Sequence, residues 1–136
     1  MDLSRNLQSL LPLAFAWAEA KLSLILQTGI ALSENNLALA RCVGVKHPEV
    51  IRILVIQKIP VPENPVLKAA CMQLNFLGPD TEGLTLSYGI FIKRGSEHNR
   101  KLLAHEFGHV AQYEQHPSYN VLSVDLYPGT YSVWLC

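Results

Sequence analysis

The chain has 136 residues, of which 11 are Lys or Arg and 11 are Asp or Glu, so its net charge is zero at neutral pH. That length suits one domain that buries about two-thirds of its unfolded surface without help from a disulfide or a structural metal. The balanced charge, with no basic stripe, speaks against nucleic acid as a partner.

From about Leu7 to Gln27 the chain reads as a long helix. Leu7, Leu10, Leu11, Ala14, Ala18, Lys21 and Leu22 recur at three- and four-residue spacing. The pattern runs through Ala14-Phe15-Ala16 into Glu19 and Lys21, which reads as a structural helix rather than a signal peptide, and the charges speak against a clean membrane span. Gly29 is a stop signal. Ser33 can cap a second helix from Glu34 to about Cys42, followed by Gly44. Val50 to Gln57 is rich in β-branched residues and reads as a strand. Pro60, Pro62 and Pro65 mark a loop, because prolines cannot donate to a ladder. Val66 to Leu74 has the character of a short helix, and Gly78-Pro79-Asp80 that of a turn.

Leu84 to Lys93 alternates, with Leu84, Leu86, Tyr88, Ile90 and Ile92 expected on one face. Gly89 in mid-run signals a bulge, a hairpin bend or close approach by another backbone. Lys93-Arg94-Gly95 turns into a last helix that Ser96 or Asn99 can cap and that Pro117 should end near Gln115. After Pro117 the text is irregular to Cys136. The expectation is therefore a single α+β domain over residues 1–136, with N-terminal helices, a small sheet and a tail, 117–136, of no regular pattern. Cys42, Cys71 and Cys136 are odd in number and widely spaced, which argues against a disulfide framework and for a reducing compartment. Cys71 reads as a core cysteine. A soluble, cytoplasmic protein is expected.

The last helix carries His105-Glu106-Phe107-Gly108-His109, an H-E-x-x-H motif, set among Leu102, Leu103, Ala104, Val110 and Ala111. At about 100° per residue, His109 lies about 40° from His105, Gln112 about −20° and Glu106 about 100°. Two imidazoles one turn apart on one face can hold one zinc ion. Glu106 lies at the edge of that face, placed to take a proton from water that the zinc activates. His105 and His109 are thus candidate ligands and Glu106 the candidate base. A catalytic zinc takes a third protein ligand. Asp125, sixteen residues past His109, is ranked first. Glu114, at about 180°, and His116, at about 20° but a turn or more away, are the alternatives. Glu114 could instead pair with Arg41 or Arg100. A Gly-x-x-His extension is absent, since Gln112 and Gln115 stand at those positions.

The run Leu102 to Glu114, with Gly83 to Ile92 and Ala38 to Glu49, resembles a group of small bacterial proteins carrying an A-H-E-x-x-H-V-x-Q-Y-E helix. The likeness spans roughly residues 12 to 115. That group is similar to minimal zincin domains, including peptidase-like domains found with contractile injection systems, and more remotely to peptidases that cleave phage-type repressors. What the resemblance implies is a zincin-like core, in which an edge strand, Leu84 to Ile92, precedes the metal-binding helix and pairs with an extended peptide. By position it makes His105 and His109 ligands and Glu106 the base. The function expected is zinc-dependent hydrolysis of a peptide or protein substrate, with Tyr88, Tyr113 or Tyr119 as an electrophile. The alternative is a catalytically inactive zinc-binding interaction module.

Overall fold

The computed structural model describes residues 3–73 and 80–115. Among these described residues nine elements follow in order: helix α1 (Leu3–Thr28), strand β1 (Ile30–Ala31), helix α2 (Glu34–Val43), a 3-10 turn (Pro48–Val50), strand β2 (Arg52–Ile56), helix α3 (Pro65–Gln73), strands β3 (Gly83–Leu86) and β4 (Gly89–Lys93), and helix α4 (Arg100–Gln115). The class is α+β, as expected from the sequence.

Local chemistry sets the boundaries. Gly29 follows the last residue of α1: its amide makes the closing i→i−4 bond, to the Ile25 carbonyl at 2.6 Å, and a Cβ there would stand 2.5 Å from that same oxygen. Ser33 caps α2 by accepting the Asn36 amide, and Gly44 closes it with a φ of 114°. Asn64 caps α3 through its side-chain oxygen, which accepts the Val66 and Leu67 amides. Pro65, read from the sequence as loop, is instead the first helical residue, where its missing N–H costs nothing. Of the two candidates for α4, Asn99 is the cap, its Oδ1 accepting the Leu102 amide.

The four strands lie in the order β1-β2-β4-β3. β2 and β4 are parallel, while β1 pairs antiparallel with β2 and β3 antiparallel with β4. The Leu84–Lys93 run is thus a hairpin. It turns at Ser87-Tyr88, where Ser87 takes a φ of 58°. This corrects the expected single alternating face. Leu86 pairs with Gly89, so the two residues of the turn reverse the phase. Leu84 and Leu86 pack with Phe91 on one face of the sheet, and Ile90 and Ile92 pack on the other. Close approach at Gly89 is also real, but its source is side chains of α1: a Cβ there would meet Leu22 at 2.8 Å and Ile25 at 3.1 Å.

Both faces of the sheet are covered. Ala18, Ile25, Ile59, Leu86 and Phe91 form the core under α1, with Trp17, Leu22 and Cys71 packed against it. Ile53, Ile90 and Ile92 meet Leu39, Ala40, Leu103, Phe107 and Val110 under α2 and α4. The helix α4 therefore lies against the sheet on the face opposite α1, beside edge strand β3. Leu11, Leu13, Leu24 and Leu26 of α1 stay exposed. Its Ser9–Thr28 stretch, with a mean hydropathy of 1.4, is long and apolar enough to cross a membrane by length and composition. Cys42 is disulfide-bonded. An odd count of cysteines at wide spacing carries no sign of that bond. Cys71 is free and half-buried, as a core-edge cysteine should be.

Candidate metal centre

Helix α4 buries Leu103, Ala104, Phe107, Val110 and Ala111 against the sheet, and this fixes where its other faces point. His105 is exposed, whereas His109, one turn on, is only 3% exposed. Their Nε2 atoms converge to 3.1 Å, with the rings edge-to-face at 89° and centroids 4.7 Å apart. Two nitrogens on one tetrahedral zinc, each at about 2.0–2.1 Å, stand about 3.3 Å apart. The pair is within a few tenths of an ångström of that separation, so these residues fit a shared divalent ion. On its far side the His109 ring has Nδ1 3.2 Å from Oε1 of Gln112.

Glu106 leaves the helix toward β3 and is 4% exposed. Strand residues alternate in direction. With Leu84 and Leu86 facing α1, the alternate residues Gly83 and Thr85 face α4. The Thr85 hydroxyl donates to Oε2 of Glu106 at 2.5 Å and lies 3.2 Å from the Glu106 carbonyl oxygen. Gly83 provides the room: a Cβ on it would sit 2.9 Å from Oε1 and 3.1 Å from the carboxyl carbon. A buried carboxylate without such donors would carry a heavy desolvation cost. The edge strand thus supplies both the slot and a hydrogen bond for the one acid of the motif. Neither Thr85 nor Gly83 was singled out in the sequence. The available signal was the small-residue phase of Gly83-Leu84-Thr85-Leu86 just before the motif helix.

Glu114 stands apart from this cluster. Its carboxylate accepts the Lys46 amide at 2.7 Å, the His47 amide at 2.9 Å and the Tyr88 hydroxyl at 2.9 Å. These donors take the place of the expected Arg41 or Arg100, and they tie the end of α4 to the α2 exit and to the hairpin tip. Tyr88 is therefore committed to Glu114, and Tyr113 makes an edge contact with it at a centroid distance of 5.6 Å. Burial pushes the Tyr88 phenol up to about 12, helped by its hydrogen bond to Glu114 and the nearby negative charge. Asp125, His116 and Tyr119 lie outside the described residues. Among the described residues, no group of three His, Cys, Asp or Glu side chains gathers around one point.

Comparison of the chain with protein-family models, with curated proteins and with solved structures found no match.

Proposed function

We propose that this chain is a minimal zincin-like metallopeptidase that holds zinc on His105 and His109, uses Glu106 as its base and hydrolyses peptide bonds. The observation that carries the reading is the convergence of two Nε2 atoms from successive turns, 3.1 Å apart, on the helix that also bears Glu106. Asp125 is the proposed third donor, with His116 as the alternative; Glu114 is taken up by its three hydrogen bonds. Zinc at this point would supply an acidified water and a polarised carbonyl. Glu106 takes the proton of the attacking water and returns it to the leaving nitrogen. Thr85, bonded to Oε2, keeps the carboxylate in one orientation for both transfers. The peptide preference is supported by β3, an edge strand that can accept an extended chain through its backbone. We place the activity in the cytoplasm, with neither nucleic acid nor a membrane span involved.

The test is cleavage of a peptide library by the zinc-loaded protein and by Glu106→Gln. Wild type should cleave. The variant should keep its zinc and lose at least roughly 100-fold in rate, the usual contribution of a general base. Zinc-loaded wild type that cleaves no peptide would overturn the peptidase reading. The second reading, a zinc-holding module without turnover, draws on the deep burial of Glu106 and its bond to Thr85. In that case chelation lowers the melting temperature, and Glu106→Gln leaves the biological role intact.

A further inference from the structure

We infer that Gln112 is a positioning residue that sets the tautomer of His109, holding its proton on Nδ1 so that Nε2 presents a lone pair to the metal. This rests on the metal-site reading above and adds to it a group that the H-E-x-x-H motif does not contain.

A neutral imidazole has one N–H, and the partner of one nitrogen decides the role of the other. The side-chain oxygen of Gln112 lies 3.2 Å from Nδ1 of His109, three residues earlier on the same helix. With the amide turned so that its oxygen faces the ring, that oxygen can only accept, and the proton of a neutral ring then belongs on Nδ1. Nε2 is then left unprotonated, and it is Nε2 that faces His105. Burial makes the assignment consequential, since a ring 3% exposed is largely cut off from water as a substitute partner. His105, by contrast, is exposed. The two candidate ligands are therefore unequal: His109 is held in a ligating form by the protein, and His105 completes the pair from the solvent side. The local i, i+3 spacing builds this into one helix turn, independent of the sheet.

The chemistry of an amide also matters. A carboxylate in the same place would make the imidazole more basic and a stronger ligand. The neutral amide orients the ring without adding a charge. It follows that zinc affinity should rank Gln112→Glu above wild type, and wild type above Gln112→Met, which keeps the side-chain length and removes the acceptor.

Two measurements on the full-length protein decide the point. The first is the nitrogen-15 spectrum of the His109 ring in metal-free protein at mildly alkaline pH. The expected result is a proton on Nδ1 in wild type and in Gln112→Glu, and a mixture of tautomers in Gln112→Met. The second is zinc affinity by competition with a chromophoric chelator, where Gln112→Met should bind roughly 10–100-fold more weakly than wild type. A His109 proton found on Nε2 in wild type would overturn the inference, as would equal zinc affinity in folded Gln112→Met. Should Gln112→Met not fold, the wild-type spectrum and the tightening expected in Gln112→Glu carry the decision. A wild-type protein that binds no zinc would instead defeat the metal-site reading, while the ring spectrum would still report on Gln112.

Discussion

The carboxylate of Glu106 shows how a single side chain depends on residues distant in sequence. An acid 4% exposed is stable in that place because Thr85 donates to it and Gly83 leaves it room. Replacing Thr85 with Val keeps the shape and removes the donor. The expected cost is about 1–3 kcal/mol, the penalty for a buried polar group left short of a partner, read from the urea midpoint; an unchanged midpoint would mean that the bond contributes nothing net. Tyr88 offers a pH test. Its folded pKa of about 12 lies above the unfolded value of about 10. The stabilisation is therefore complete below about pH 10 and is lost as the pH climbs through 12. Ultraviolet titration should show one phenol ionising late, and Glu114→Gln should bring it down by removing the nearby negative charge. The motif residues were legible because their spacing is local: two histidines four apart share a helix face in any fold. Thr85, Gly83 and the amides that hold Glu114 were not, because their partners depend on which strand and loop come to lie beside α4.

At the level of elements, the apolar periodicity found the helices and β2 to within a few residues, cap chemistry at Ser33 and Gly44 was readable directly, and the cap of α4 was narrowed to Ser96 or Asn99, of which Asn99 is used. The hairpin was harder. Leu84 to Lys93 alternates in text without a break, yet a two-residue turn exchanges its faces, and only the positive φ at Ser87 marks the reversal. Ser is an uncommon choice for such a site, so the signal was faint. The two-residue strand β1 is too short to carry a period at all. At the junction of α1 and β1, Gly29 is required by a backbone oxygen and not by a movable side chain. Gly29→Ala must therefore distort the last turn of α1, whose Ile25 carbonyl stands closest, and press on Ile53 of β2. We expect a loss of about 1–3 kcal/mol, as for other overpacked sites, measured by chemical denaturation. No loss would show that the α1 terminus yields freely.

For the whole molecule, two apolar cores on opposite faces of one sheet explain why α4 can spare a face for polar chemistry. Its back is anchored by Phe107 and Val110, and Glu114 braces its end against the hairpin and the α2 exit. The α+β class followed from alternating helical and strand-like stretches. Strand order did not, because the parallel β2–β4 pairing across α3 and the outer place of β3 are long-range outcomes. The Ser9–Thr28 stretch of α1 has the length and apolar composition of a membrane span. Two residues of the same helix, Ala18 and Ile25, are buried against the sheet. Zinc should act on the stability of the molecule as a whole. Free ion at about 100 times its dissociation constant adds about 2.7 kcal/mol to a fold that alone binds it. Melting curves with zinc and with a chelator should separate accordingly, and coincident curves would argue for a metal-free domain.

The most direct measurement is anomalous scattering at the zinc edge from crystals of the zinc-loaded protein. The account requires one zinc per chain, bonded to Nε2 of both His105 and His109, with the Glu106 carboxylate beside it. Zinc bound elsewhere, or the two rings turned apart with no metal between them, would contradict it.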